Sequence, residues 1–377
     1  MTKKNADIEC LRAVAVILTM FQHLYVLFRW TQHPLGRVED YMHFWGGVDL
    51  FLVISGFVVS KSFMNTLETA RTHGREWYAV KAFWVRRLYR ILPSAWFWLF
   101  VGTAGTFFFN VTGAFGTPHD AVLRCVAVMT GVANFAMYSG IDMGQTGVYW
   151  SLALEEQFYI AFPFFLLFVP IAWRYRVLLL AIAIQVPMWR STGTVYWGTR
   201  LDALMWGVVL FGFSRAPQYQ AFEPRSLANP VKAWCLSALL IFALAAIPQS
   251  LVTIRFHVAL MALVSAVLVY MASFDRAYVL PAGIFRPLLL WIGSRSYAIY
   301  LCHLPAYMIT HEFWTRWTKA HGLVPPDGTY TLRYAVMALA LIAIFAELNY
   351  RLIETPLRTR GVTIARAISG AGAASPA

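Results

Sequence analysis

The chain has few charged side chains. Asp, Glu, Lys and Arg make up 13% of its 377 residues, about half the share of a typical soluble domain. Hydrophobic residues make up 59%, and apolar runs recur along most of the length. This composition argues against a soluble enzyme. It predicts an all-α, polytopic transmembrane helix bundle without a separately folding soluble domain.

Several catalytic signatures are scarce as well. The chain has no Gly-x-Ser-x-Gly elbow and no persuasive cluster of metal ligands, so serine-hydrolase and zinc chemistry are not expected. The first apolar run lacks a small-residue cleavage site and is predicted to be a retained helix. Neither a disulfide nor a metal site is expected from the four cysteines, which lie scattered in apolar runs: Cys10, Cys125, Cys235 and Cys302.

Ten apolar runs come close to the roughly 20 residues that a helix needs to cross a membrane. They are 8–28, 45–62, 91–110, 151–170, 174–190, 199–213, 233–249, 254–273, 288–311 and 331–352. An eleventh run, 122–138, is ambiguous. The sequence therefore predicts about ten crossings and one possible re-entrant or non-crossing helix.

The distribution of positive charge favours one topology. If 122–138 does not cross and the N-terminus is cytoplasmic, 20 of the 31 Lys and Arg residues, including Lys3 and Lys4, fall inside and nine outside. The positive-inside rule then places both termini in the cytoplasm of a bacterial inner membrane. We expect a transmembrane domain over 1–358 and a cytoplasmic tail over 359–377 that ends in a disordered SGAGAASPA segment.

Ionisable residues within the spans are candidate functional residues. Arg12 and His23 lie eleven residues apart, which on one helix puts them on the same face and about 16 Å apart. The alternative is an Arg that reaches the interface and a His that is simply hydrogen-bonded. His23 is the best candidate general base, because imidazole titrates near neutral pH.

Two adjacent carboxylates stand in the stretch YWSLALEEQFY. Ser151, Glu155 and Tyr159 follow at spacing i, i+4 and i+8 and form one stripe, whereas Glu156 points about 100° away. We therefore expect different partners for Glu155 and Glu156. One is predicted to pair with an Arg such as Arg200, and the other to orient His23. The sequence does not decide which.

Other polar residues have two interpretations each. Ser296, Tyr300, His303 and Tyr307 share a helix face, either as a polar lining or around a satisfied core histidine. Asp49, Arg200 and Asp202 stand at the starts of predicted spans. They either belong to the functional site or form ion pairs at the membrane interface. Three basic residues precede the third span: Arg86, Arg87 and Arg90. They either bind phosphate, or contact anionic lipid and mark the cytoplasmic side of the membrane. Glu347, Arg351 and Glu354 are spaced as an intrahelical ladder.

Seven segments together resemble the acyltransferase-3 family of membrane O-acyltransferases of carbohydrates. The resemblance runs from about Ile8 to Arg358. Its segments are IECLRAVAVILTMFQH, GGVDLFLVISGF, VRRLYRILP, YWSLALEEQFY, RLDALMWG, IGSRSYAIYLCHLP and ELNYRLIETP. Where the family often has Asp–Gly, this chain has Glu9–Cys10, and Glu9 is expected to keep the charge. We expect a minimal form, without the esterase-like domain appended in some members.

The resemblance implies transfer of an acyl group, most often acetyl, from cytoplasmic acyl-CoA to a carbohydrate hydroxyl. It implies catalytic roles for His23, Glu155 and Glu156. Donor binding is expected at Arg12, Arg86, Arg87 and Arg90. The substrate-binding candidates are Asp49, Tyr159, Arg200, Asp202, Tyr300 and His303. Acetyl-CoA is expected as co-substrate, a polysaccharide or its lipid-linked precursor as acceptor, and no metal or nucleic acid.

Alternatives remain open at this point. The acyl group is acetyl or succinyl, and the acceptor is a polysaccharide, peptidoglycan, a lipid or a small molecule. Transfer is direct or passes through an acyl-histidine. A proton-coupled transporter also uses buried Arg, His and Glu, although it predicts inverted repeats that are not visible in the sequence. In a membrane scaffold, the charges would only hold helices together.

Overall fold

The computed structural model describes residues 4–191, 194–281 and 283–374, and within these ranges the regular structure is helical. This confirms the all-α prediction. The α-helices are α1 Ala6–Gln22, α2 Leu24–Leu27, α3 Gly46–Arg71, α4 Glu76–Phe108, α5 Pro118–Met129, α6 Ala133–Ala136, α7 Tyr149–Phe168, α8 Ile171–Gln185, α9 Val195–Gly198, α10 Asp202–Ser214, α11 Pro230–Ser250, α12 His257–Ser273, α13 Arg286–Ser294, α14 Ser296–Ala320, α15 Thr331–Asn349 and α16 Thr355–Ala374.

Among the described residues, five helical segments are long and apolar enough to cross a membrane. They are Gly46–Arg71, Glu76–Phe108, Tyr149–Phe168, Pro230–Ser250 and the continuous segment Gly328–Gly370. The chain is therefore a multi-pass membrane protein. The count of about ten crossings, and the cytoplasmic placement of the termini, stay predictions. Lys3, which entered that charge count, lies outside the described residues.

The ambiguous run 122–138 divides into two short helices. Helix α5 has twelve residues and begins at Pro118. The residue before it, Thr117, caps the helix, because its hydroxyl accepts a hydrogen bond from the Asp120 amide. At 1.5 Å per residue α5 is about 18 Å long, well short of the ~30 Å hydrocarbon core. Gly131, at φ 69°, separates it from α6. These lengths agree with the prediction that this run does not cross fully.

Two predicted spans are interrupted. The run 8–28 breaks at His23, whose φ of −104° and ψ of 13° end the helical hydrogen-bond ladder, so α1 stops at Gln22. Arg12 and His23 therefore do not share one continuous helix, and that expectation was wrong. The run 288–311 likewise breaks at Arg295, between α13 and α14.

The basic segment 61–90 is mostly helical. Helix α3 extends to Arg71, and α4 begins at Glu76, so only the residues between them form the turn. Arg86, Arg87 and Arg90 consequently lie within α4, a helix of 33 residues. A helix of that length spans about 50 Å and extends beyond the bilayer core.

The C-terminal helix is longer than predicted. Helix α15 passes through a π-helical turn, Tyr350–Glu354, into α16, which ends at Ala374. The disorder predicted for SGAGAASPA is therefore wrong up to Ala374, and 375–377 lie outside the described residues. Helix α16 packs along α4, and a Cβ at Gly361 would overlap the Tyr89 side chain.

The chain forms two compact units. The first, called unit 1, contains Met1–Gln22, Leu35–Asn65 and Phe165–Ser296. The second, called unit 2, contains His23–Pro34, Thr66–Phe164 and Tyr297–Ala377. His23, the arginines of α4, the paired glutamates of α7 and His303 all belong to unit 2. Arg12, Asp49, Arg200 and Asp202 belong to unit 1.

Within unit 1, helices α3 and α10 approach each other at two glycines. A Cβ at Gly56 would overlap the carbonyl oxygen of Leu204, and a Cβ at Gly207 would overlap that of Val53. Small residues at such crossings let helix backbones pack closely in membranes. Both positions thus require glycine for steric reasons, not for a special φ angle.

We expect Gly207→Ala to destabilise the protein by about 1–3 kcal/mol, because the added methyl group must push the two backbones apart. Gly328→Ala is the matched control, since a Cβ there contacts nothing within 4 Å. Thermal unfolding of the detergent-purified variants measures both effects. Equal melting temperatures for Gly207→Ala and wild type would refute the close contact.

Candidate active site

Two histidines meet in unit 2. Nδ1 of His23 lies 3.3 Å from Nε2 of His303, and the ring centroids are 5.2 Å apart. His303 is fully buried on α14. Its Nδ1 lies 2.8 Å from the carbonyl oxygen of Tyr300 and 3.3 Å from that of Ile299. His303 is thus fixed at one ring nitrogen by backbone and at the other by His23.

These contacts assign the tautomers of the neutral pair. A carbonyl oxygen only accepts, so Nδ1 of His303 carries the proton and Nε2 accepts. His23 must then donate through its Nδ1–H. The lone pair of His23 is consequently on Nε2, the nitrogen that faces away from His303. A neutral imidazole oriented in this way is suited to accept a proton at a defined atom.

The polar stripe on α14 faces the interior of the protein, which fits both a polar lining and a satisfied core histidine. Ser296, Tyr300, His303 and Tyr307 are all buried. The Tyr300 hydroxyl donates to the carbonyl oxygen of Val148 and lies 2.6 Å from Oγ of Ser151. Tyr300 therefore ties α14 to the start of α7. This bonding favours a positioning role over the direct substrate contact predicted for it.

Glu155 and Tyr159 form the predicted i, i+4 pair on α7. The Tyr159 hydroxyl donates to Oε2 of Glu155 at 3.0 Å. The guanidinium carbon of Arg87 lies 5.5 Å from the ring centroids of both Tyr159 and Phe83, and Glu155 interacts with it electrostatically. The charge of Glu155 therefore acts on Arg87 and Tyr159.

Glu156 and Gln157 take other directions. Glu156 lines a small recess together with Val128, Tyr149 and Leu152. Gln157 donates through Nε2 to the carbonyl oxygen of Gly131 and to Oδ1 of Asn134, at 2.9 and 2.8 Å. The two carboxylates therefore lie in different environments, and the partner of Glu156 stays a prediction. A carboxylate that orients His23 stays a prediction.

The arginines of α4 are only partly exposed. Arg86, Arg87 and Arg90 are each half-buried. Nη2 of Arg86 is buried and makes no hydrogen bond to any residue in the described ranges. A buried guanidinium nitrogen without a partner is costly, so this atom calls for an acceptor such as a phosphate oxygen.

Two ion pairs are buried within unit 1. Arg200 lies 3.2 Å from Asp49, and Arg190 lies 2.8 Å from Asp202, with every side chain at most 1% exposed. The guanidinium of Arg200 also stacks on Trp197 at 3.9 Å and on Trp45 at 5.0 Å. The ion-pair interpretation is confirmed, and both pairs are buried inside the protein. The described carboxylate partner of Arg200 is Asp49. A glutamate of α7 as a further partner of Arg200 stays a prediction.

Arg190 was not among the predicted site residues, because it stands at the very end of the predicted span 174–190 and no motif includes it. Arg12, by contrast, pairs with Glu9 at 3.6 Å, as expected if Glu9 keeps the charge of the usual Asp. Near the C-terminal end of α15, Arg351 pairs with Glu347 as predicted, while Glu354 pairs with Arg358. The helical ladder therefore extends one turn further than the spacing suggested.

A family model described as an acyltransferase domain matches residues 5–347. The chain belongs to this acyltransferase family. It is 28% identical to the peptidoglycan O-acetyltransferase OatA of Listeria monocytogenes, over 94% of this chain and 56% of that protein. It is 26% identical to the O-acetyltransferase OatA of Staphylococcus aureus, over 84% of this chain and 53% of that protein.

The chain spans about half the length of the curated relatives that it matches. No solved structure matches it. The family assignment therefore rests on sequence similarity over almost the whole chain, and the site geometry is that of this chain alone.

We expect Asp202→Asn to destabilise the fold by about 3–5 kcal/mol, because it leaves Arg190 charged and buried without a carboxylate. The matched control is Arg351→Ala, which removes an exposed ion pair worth about 0–1 kcal/mol. Thermal or chemical unfolding in detergent compares the two. A change no larger than the control's would mean that Arg190 has another anionic partner.

Proposed function

We propose that the chain is a membrane O-acetyltransferase that moves an acetyl group from cytoplasmic acetyl-CoA to a hydroxyl of a cell-surface or exported polysaccharide, or of its lipid-linked precursor. The observation that carries this proposal is the hydrogen bond between His23 and His303 in a chain of the acyltransferase family. The relative named as a peptidoglycan O-acetyltransferase supports a carbohydrate acceptor. The site of action is the bacterial inner membrane, with both termini in the cytoplasm.

His23 acts as the general base through Nε2. It accepts the proton of the acceptor hydroxyl as that oxygen attacks the carbonyl carbon of the thioester, and a C–O bond forms. The C–S bond then breaks, and the imidazolium returns the proton to the sulfur of coenzyme A. Atoms and charge balance without a metal or an oxidant. Transfer is direct, with no acyl-histidine.

His303 acts as a positioning residue. Its Nε2 accepts the Nδ1–H of His23, which fixes the ring and the tautomer in the state that leaves Nε2 basic. The same hydrogen bond persists in the imidazolium, because His23 keeps its Nδ1–H after Nε2 is protonated. Glu155 serves the donor side, where it holds Tyr159 beside Arg87.

The arginines of α4 bind the phosphates of the donor. Coenzyme A is polyanionic, and three guanidinium groups within five residues of one helix match that charge. The unpartnered Nη2 of Arg86 supports this assignment. Arg12 and Glu156 are retained as candidates from the family resemblance, for donor binding and catalysis respectively.

We expect His23→Ala to lower the rate of acetyl transfer by about 10²–10⁴-fold, the range typical of a lost general base. His303→Leu should lower kcat with an unchanged KM for acetyl-CoA, and His303→Gln should recover part of kcat because its amide oxygen accepts the His23 proton. Radiolabelled acetyl-CoA and membrane polysaccharide extract supply the assay, on folded protein in lipid. Undiminished transfer by His23→Ala would rule out this mechanism.

We expect Arg86→Gln to raise the KM for acetyl-CoA by about 10–100-fold, as the loss of a charged hydrogen bond predicts, with kcat recovered at high donor concentration. Lys81→Gln is the matched control, since Lys81 is exposed on the same helix. Saturation kinetics in the same assay separate KM from kcat. Equal KM values for the two variants would contradict phosphate binding by Arg86.

A further inference from the structure

Helix α14 carries a second polar cluster beyond His303. His311, Trp314 and Thr315 follow at spacing i, i+3 and i+4 and share one helix face. Each has a buried polar atom that forms no hydrogen bond within the described part of the chain: Nδ1, Nε1 and Oγ1 respectively. Buried polar atoms of native proteins nearly always have partners, so this cluster points to a ligand or to water.

Tyr334 of α15 adds a fourth atom. Its side chain is fully buried, and its hydroxyl interacts with that of Thr315, although this contact does not meet hydrogen-bond geometry. Its ring lies 6.0 Å from His311 and 4.9 Å from Trp30, edge-on to the latter. A buried hydroxyl without a well-formed hydrogen bond is costly, so it too points to a further partner.

The charged neighbours of this cluster are engaged elsewhere. Glu312 accepts the backbone amides of Val111 and Thr112 at 3.1 and 2.6 Å, and Nε of Arg316 at 3.3 Å. Arg29 donates to the carbonyl oxygen of Ala114 at 3.2 Å. Arg333 stacks on Trp314 and Tyr330, with its guanidinium carbon 5.9 and 4.7 Å from their ring centroids. The atoms without hydrogen-bond partners are themselves neutral: an indole N–H, two hydroxyls and an imidazole nitrogen. Such a set, beside aromatic rings, suits a neutral polyhydroxyl ligand better than an anion.

We propose that His311, Trp314, Thr315 and Tyr334, together with Trp30, form a subsite for an uncharged sugar residue of the acceptor. This inference rests on the proposed function. His311 follows His303 by eight residues, which is about 12 Å along the helix axis. The sugar in the subsite is therefore a different residue of the acceptor from the one whose hydroxyl reaches His23. The enzyme consequently prefers an oligosaccharide or polymer acceptor over a monosaccharide.

The first test compares the loss of a single hydroxyl at two places. Tyr334→Phe should raise the acceptor KM about tenfold, the factor that corresponds to one lost hydrogen bond, with an unchanged KM for acetyl-CoA. Its melting temperature should equal or exceed that of wild type, because a buried hydroxyl without a well-formed hydrogen bond has been removed.

Tyr297→Phe is the control, since the Tyr297 hydroxyl donates to the carbonyl oxygen of Ile91 at 2.8 Å. The Tyr297→Phe variant should have a lower melting temperature than wild type and the same acceptor KM. An acceptor KM unchanged in Tyr334→Phe and in Thr315→Val would overturn the subsite.

The second test does not need catalysis. His23→Ala protein without donor is heated with N-acetylglucosamine, with its tetramer and with membrane polysaccharide extract. The tetramer or the extract should raise the melting temperature more than the monomer does, and the triple variant with Tyr334→Phe and Thr315→Val added should lose the shift. No shift, or an equal shift in both proteins, would overturn the subsite. A Tyr334-dependent shift without any transfer by wild type would refute the proposed function and leave the subsite standing.

Discussion

A polar side chain inside a membrane-embedded helix bundle has to find its hydrogen-bond partner within the protein, because lipid offers none. That constraint organises most of the polar residues in this chain. In unit 1 it pairs two buried arginines with two buried aspartates, Asp49 and Asp202. In unit 2 it joins Gln157 to Asn134, and His303 to His23. A buried polar atom without a hydrogen-bond partner among the described residues, such as Nη2 of Arg86, therefore points to a ligand.

Helical spacing in the sequence was enough to predict contacts along one helix. The pair Glu155 and Tyr159, and the buried stripe through Tyr300 and His303, follow from i, i+4 periodicity alone. Contacts between distant segments could not be predicted in the same way. His23 and His303 are 280 residues apart, and no local pattern specifies that their rings meet. The break at His23 was equally hidden, because the apolar pattern continues through it.

Hydropathy located the apolar part of each helix and underestimated its length. Helix α4 is about 50 Å long, and its basic N-terminal half lies outside the predicted span 91–110. A search for apolar residues ends a span where charged residues begin. The same bias shortened the final helix, which continues through the π turn at Tyr350–Glu354. As a result, the arginines of α4 are held on a rigid helix. A rigid mount places guanidinium groups more accurately than a mobile loop would, and this matters if they bind phosphate.

A histidine beside the proposed base has a different consequence from a carboxylate. His303 fixes the orientation and the tautomer of His23, but as a neutral group it brings no negative charge to balance an imidazolium. A charged His23 would be costly in a half-buried, weakly polar site, so it should exist only briefly. Direct transfer meets that condition, because the proton taken from the hydroxyl goes on to the departing sulfur in the same chemical step. An acyl-histidine would instead leave a cationic adduct that persists until the acceptor arrives. The neutral pair therefore favours direct transfer over the covalent route.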